Sequence, residues 1–150
     1  MKLTEQIMEL KKEKNAVILA HNYQIPEIQD IADVVGDSYV LAKKAMDMDA
    51  RIIVLCGVRF MAEVASILNP DKKVLIPVRD ALCPMAGMVE MDRLRMAKEH
   101  YSILAYVNTT AETKAMADVC CTSANAVEIA KKMGDNVLFV PDRNLGEYIK

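Results

Sequence analysis

Short, continuous apolar runs alternate along this chain with longer stretches at helical spacing. Ala16-Val17-Ile18-Leu19-Ala20, Ile52-Ile53-Val54-Leu55, Val74-Leu75-Ile76, Ser102-Ile103-Leu104-Ala105-Tyr106 and Val137 to Val140 read as strands. Their lack of polar alternation is the mark of parallel strands covered on both faces. Between them, helices are predicted over Lys2 to Lys14, Pro26 to about Val34, Ser38 to about Met48, Phe60 to Leu68, Asp92 to His100, Ala111 to Ala117 and Ser123 to Met133, with a last one from about Arg143. Pro26 suits a first helical turn, where its missing N–H would be unpaired anyway. Asn69-Pro70 stops the fourth helix, and Pro77 to Met88 reads as a loop. The alternation predicts an α/β fold.

The pattern restarts. Ile18-Leu19-Ala20-His21 aligns with Ile103-Leu104-Ala105-Tyr106 at a shift of 85 residues, and Glu27 with Glu112, Ala32-Asp33-Val34 with Ala117-Asp118-Val119 and Ser38 with Ser123 at that same shift. Ala42-Lys43-Lys44 meets Ala130-Lys131-Lys132 after a small insertion. A constant shift over so many positions implies a duplicated unit, too long a period for a solenoid. Two tandem homologous αβα units with short parallel sheets are expected, a first domain over 1–88 and a second, incomplete one over 89–150.

Composition narrows the classes. The chain has 150 residues, 53% of them apolar and 27% charged, enough for a packed core and unlike a disordered chain. A formal charge of −2 offers no basic footprint for nucleic acid. No apolar run approaches the ~20 residues that span a bilayer, and the start has no signal-peptide core. The expectation is a soluble, cytoplasmic protein. Cys56, Cys83, Cys120 and Cys121 make no CxxC pair and no disulfide framework.

Ligands of open parallel sheets bind beyond the carboxyl ends of the strands. There the repeat sets His21, Asn22, Tyr23 and Gln24 after one strand and Tyr106, Val107, Asn108, Thr109 and Thr110 after its copy. His21 reads either as a packed, hydrogen-bonded residue or as an acid/base or donor to a substrate anion. Tyr23 and Tyr106 read as rim packing or ligand contacts, and Asn108 as a turn residue or a ligand amide. Ser38 and Ser123 each open a helix, as N-caps, as anion sites, or as both. Cys83, in a small loop, suits a metal thiolate. Cys56, inside a strand, is expected buried and inert, and the adjacent Cys120 and Cys121 point apart. His100 completes no zinc set, and no GxGxxG or P-loop is present.

Six strings in order, Ala-His-Asn-Tyr-Gln (20–24), Gly-Asp-Ser (36–38), Gly-Val-Arg-Phe-Met-Ala-Glu (57–63), Ala-Leu-Cys-Pro-Met-Ala (81–86), Tyr-Val-Asn-Thr-Thr-Ala-Glu (106–112) and Thr-Ser-Ala-Asn-Ala (122–126), resemble the quinolinate synthase family. The resemblance runs from about Ala16 to the last residue. It implies three homologous α/β domains with the active site at their junction and a [4Fe-4S] cluster that takes one Cys from each. It implies condensation of iminoaspartate with dihydroxyacetone phosphate to quinolinate, in NAD biosynthesis. Carried over by position, Cys83 matches the first cluster ligand, His21 and Ser38 match first-domain substrate contacts, and Tyr106, Asn108 and Ser123 match second-domain contacts. Tyr23 matches a tyrosine over the cavity whose phenol assists proton transfer or isomerisation. His21 is then a carboxylate donor and acid/base, the serines anion anchors, and Tyr106 and Asn108 orienting donors.

Family chains are about twice this long, and their other cluster cysteines match nothing here. The expectation is that the third domain is missing, that one Cys83 does not hold the cluster stably, and that the chain is inactive alone. A split enzyme with a separate C-terminal half, a homo-oligomer that covers the exposed faces, and a non-catalytic small-anion binding module are the alternatives.

Overall fold

The computed structural model describes residues 2–150; Met1, at the start of the expected first domain, lies outside them. The chain forms two compact units that divide between Ala81 and Leu82. The loop pattern suggested a division after Met88; in the structure Leu82 to Met88, with Cys83, belongs to the second unit.

The first unit runs α1 (Leu3–Glu13), β1 (Ala16–His21), α2 (Pro26–Gln29), β2 (Val34–Gly36), α3 (Ser38–Asp47), β3 (Ile52–Cys56), α4 (Arg59–Leu68) and β4 (Lys73–Leu75). Its four strands are parallel in the order β2-β1-β3-β4. The chain leaves β1 for β2 on one side and crosses back to β3 on the other. The carboxyl ends of β1 and β3 therefore flank a topological switch point, where open α/β sheets form their ligand crevice. Ile18, Leu19 and Ala20 are all buried, and successive strand side chains face opposite ways, so both faces of β1 are covered. Leu19 and Ile53 pack with Leu41 and Ala45 of α3.

The second unit has a short 3-10 turn (Met85–Gly87), α5 (Met91–Ala97), β5 (Ser102–Tyr106), α6 (Ala111–Met116), β6 (Val119–Cys121), α7 (Ala126–Met133), β7 (Val137–Val140) and α8 (Arg143–Ile149). Its parallel order, β6-β5-β7, repeats the first three positions of the other sheet. Its core is thinner. Leu94, Ile103 and Leu104 are its large buried aliphatic side chains, and every residue of β7 is half-buried.

Two elements went unseen in the sequence, β2 and β6, and they are copies of each other. The helix expected from Pro26 to Val34 stops at Gln29. The cause is Asp33. Its Oδ2 accepts the Ile18 N–H at 2.8 Å, its own N–H donates to the Ile18 carbonyl at 2.8 Å, and its Oδ1 takes the Lys11 ammonium at 2.8 Å. Asp118 does the same to Ile103, with 2.7 Å and 2.9 Å for the two backbone bonds and Lys98 at 3.5 Å. This clip draws the following residues into the ladder as a strand. The Asn22 N–H reaches Gly36 O at 3.0 Å, and at the shifted positions the Val107 N–H reaches Cys121 O at 2.8 Å.

The Ile103 N–H, and after it the Lys98 ammonium, hold the Asp118 carboxyl below its ordinary 3.8, against a smaller opposing push from desolvation. A carboxyl lowered on folding stabilises the fold above its unfolded pKa and loses that contribution as pH falls through the lower folded value. Asp118→Asn is therefore expected to flatten the acid limb of stability below about pH 4, as read by urea unfolding at a series of pH values.

The carboxyl end of α3 is closed by a lysine. Lys72 Nζ donates to the carbonyls of Ala45 at 2.8 Å and Met48 at 2.7 Å. A cation suits the negative end of a helix. Lys72→Met is expected to lower unfolding free energy by about 1–2 kcal/mol in chemical denaturation.

Candidate functional site

The residues that carry the candidate chemistry sit at the carboxyl ends of β1 and β2 in one unit and of β5 and β6 in the other. In the first, His21 is the last residue of β1 and is half-buried. Its register partner on β2 is Gly36, and the preceding Ala20 pairs with Cys56 of β3. The turn after β1 brings Tyr23 back over His21. The two rings stack with centroids 4.0 Å apart at 33°, and the Tyr23 backbone N–H donates to His21 Nδ1 at 3.3 Å. Burial lowers the His21 pKa from its ordinary 6.5, against an upward pull from the Asp37 carboxylate. The burial favours the neutral imidazole.

Tyr23 also reaches across the crevice. A Cβ placed on Gly57, just after β3, would lie 3.7 Å from the Tyr23 hydroxyl, 2.9 Å from Met61 Sδ and 3.0 Å from Leu55 Cδ2. The phenol thus spans the switch point from β1 to β3, over a glycine where Met61 and Leu55 pack too closely to admit a side chain. Tyr23 is itself 53% exposed.

Ser38 is not the cap of α3, as one reading of the sequence had it. Asp37 is: its Oδ1 accepts the Val40 N–H at 2.9 Å, and Ser38 is the first helical residue. A carboxylate at this position already answers the helix dipole. An anion would meet its charge here, so Ser38 can serve an anion through its hydroxyl and hardly through the helix end.

In the second unit Tyr106 ends β5 and is paired with Cys121. Asn108 follows at the position Tyr23 holds after β1, and both Tyr106 and Asn108 are half-buried. Ser123 stands two residues beyond β6, as Ser38 does beyond β2, but here the helix does not begin at once. A turn intervenes, in which Asn125 Oδ1 accepts the Thr122 N–H at 2.7 Å and its hydroxyl at 3.0 Å, and α7 starts at Ala126. That turn is where the insertion in the repeat falls. Ser123 is left exposed and does not cap α7.

Cys83 is half-buried in the loop ahead of the 3-10 turn. Cys56 ends β3 and is half-buried rather than fully enclosed; Cys120 is exposed and Cys121 buried, on opposite faces of β6. Burial raises the Cys56 and Cys120 thiols, and Cys121 is pushed up to about 11 by burial and by its neighbour. None of these three is disposed to be a thiolate at neutral pH. Among the described residues, no group of three or more His, Cys, Asp or Glu side chains could hold a metal ion.

Two groups at these strand ends carry no strong sequence signal. Asp37 is missed because its neighbour Ser38 is as good a cap by type. Thr109 is fully buried next to Asn108 with a hydroxyl that has no partner among the described residues, and nothing in a Thr-Thr pair announces that. Among the described residues, no helix is long and apolar enough to cross a membrane.

A family model described as quinolinate synthetase A protein matches residues 5–150. The chain is 56% identical over 151 residues to a quinolinate synthase of Alkaliphilus metalliredigens, covering 98% of this chain and 50% of the relative. It is 57% identical over 153 residues to one of Pyrococcus horikoshii (99% and 51%) and 55% identical over 151 residues to one of Thermotoga maritima (98% and 51%). The chain spans about half the length of the curated relatives it matches.

Proposed function

The chain belongs to the quinolinate synthetase A family, and from that premise we propose that it carries part of the substrate machinery of a quinolinate synthase. The reaction is condensation of iminoaspartate with dihydroxyacetone phosphate, with loss of phosphate and water, in NAD biosynthesis. The observation that carries this reading is the match over residues 5–150 at 55–57% identity. The repeat supports it independently, because the residues carried over from the resemblance fall at equivalent strand ends of both units.

Both substrates are rich in anionic and carbonyl oxygens, which call for donors rather than acceptors. His21, the Ser38 and Ser123 hydroxyls, the Tyr106 phenol and the Asn108 amide are all able to donate. We assign them to carboxylate and phosphate oxygens, with Tyr23 placed to pass a proton at its hydroxyl. Cys83 is assigned as one ligand of the [4Fe-4S] cluster of a protein of the relatives' length. The chemistry given to the other residues does not run through that cluster. In the cell the reaction is placed in the cytoplasm.

The test is genetic. The chain is joined to the remaining half of the Thermotoga maritima relative and expressed in a strain lacking its own quinolinate synthase. Growth without nicotinic acid is expected, and growth is expected to be lost with Cys83→Ala. No growth, where the intact relative restores it, contradicts the assignment and leaves a non-catalytic anion-binding module as the better reading. The 150-residue chain expressed alone is expected not to restore growth.

A further inference from the structure

One ring nitrogen of His21, Nδ1, meets a main-chain N–H. Nδ1 lies 3.3 Å from the Tyr23 backbone nitrogen, and that N–H can only donate. Nδ1 must therefore be the acceptor, which leaves the ring hydrogen on Nε2. The stack with Tyr23 at 4.0 Å fixes the ring plane. Because the contact comes from the main chain two residues on, it is set by the turn after β1 and does not depend on which side chain stands at position 23.

We propose that His21 serves its ligand as a neutral imidazole, donating from Nε2–H to an anionic or carbonyl oxygen, with Nδ1 held as an acceptor by the Tyr23 main chain. This makes His21 an electrophilic donor instead of the acid/base that its residue type also allows. A positioned N–H supplies a hydrogen bond to developing negative charge and keeps its proton throughout. Burial of the ring favours the same neutral state, and the charged group that acts on the ring from the head of α3 is Asp37, which opposes it. The tautomer stands on the geometry alone; the donor role rests on the substrate reading made above.

Two measurements separate these parts. In the 150-residue chain carrying His100→Gln, His21 is the one imidazole left, and a long-range proton–nitrogen correlation at pH 8 reads its two ring nitrogens. Nδ1 is expected wholly in the unprotonated range and Nε2 in the N–H range. The Tyr23 amide proton should lie downfield and move upfield with the same midpoint as His21 when the ring is protonated. Tyr23→Phe should change neither. A protonated Nδ1, the averaged positions of a free imidazole, or a Tyr23 amide that ignores the titration would overturn the tautomer. In the joined protein of the relatives' length, His21→Gln keeps an N–H near the Nε2 position. Its kcat is expected within about tenfold of the parent, against a loss of about 10²–10³-fold for His21→Ala. Equal loss in both variants would overturn the donor role. If the parent itself makes no quinolinate, the functional reading fails while the nitrogen spectrum still decides the tautomer.

Discussion

Leu104→Ala is expected to unfold the second unit, or nearly so. Leu104 is fully buried and packs with Cys121 and Ala126, with Ile129, Val137 and Phe139 around them. Truncating a buried leucine costs about 2–5 kcal/mol, and more where the surroundings cannot collapse into the space. A small domain has only about 5–15 kcal/mol in total, and this unit draws on few large aliphatic side chains. The first unit has more in reserve, with Leu19, Leu41, Ile53 and Leu55 all closed from solvent. Amide exchange should therefore show β5 to β7 losing protection while β1 and β3 keep theirs. Equal protection in the variant and the parent would mean that the core is wrongly drawn.

His21→Ala should do the reverse, sparing the fold and removing the activity. The side chain is half-buried at a strand end, and the hydrogen bond it accepts from the Tyr23 main chain is long, at 3.3 Å. The unfolding midpoint should barely move. In a protein of the relatives' length, loss of a donor that acts on developing charge is expected to cost about 10²–10³ in kcat. KM should change less, since the other donors still hold the ground state. A variant that keeps full turnover would remove His21 from the chemistry, and a variant that loses turnover only by unfolding would make it a structural residue.

The strand cores were legible because parallel strands covered on both faces must be apolar in their interiors, and β1, β3, β5 and β7 all are. Two short edge strands, β2 and β6, were not. Val34-Val35-Gly36 and Val119-Cys120-Cys121 are too brief to show a period, and in each unit the strand is made by a carboxylate clip, Asp33 or Asp118, that no local pattern reveals. The repeat did contain the information, since both aspartates and both strands lie at the one shift of 85. The candidate positions His21, Tyr23, Tyr106 and Asn108 were legible from their place after a strand. The caps were not, because Asp37 and Ser38 are both good capping residues and only the geometry of the Val40 N–H chooses between them. Gly57 was passed over for a related reason. Its contribution is to let Met61 and Leu55 pack closely beneath the Tyr23 phenol, and close packing depends on what the fold brings near.

Quinolinate formation in vitro tests the central assignment most directly. The chain joined to the remaining half of the Thermotoga maritima relative is reconstituted anaerobically with iron and sulfide, then supplied with iminoaspartate and dihydroxyacetone phosphate. The account predicts quinolinate from the parent and about 10²–10³-fold less from His21→Ala. No quinolinate from the parent, while the intact relative treated the same way produces it, would contradict the account.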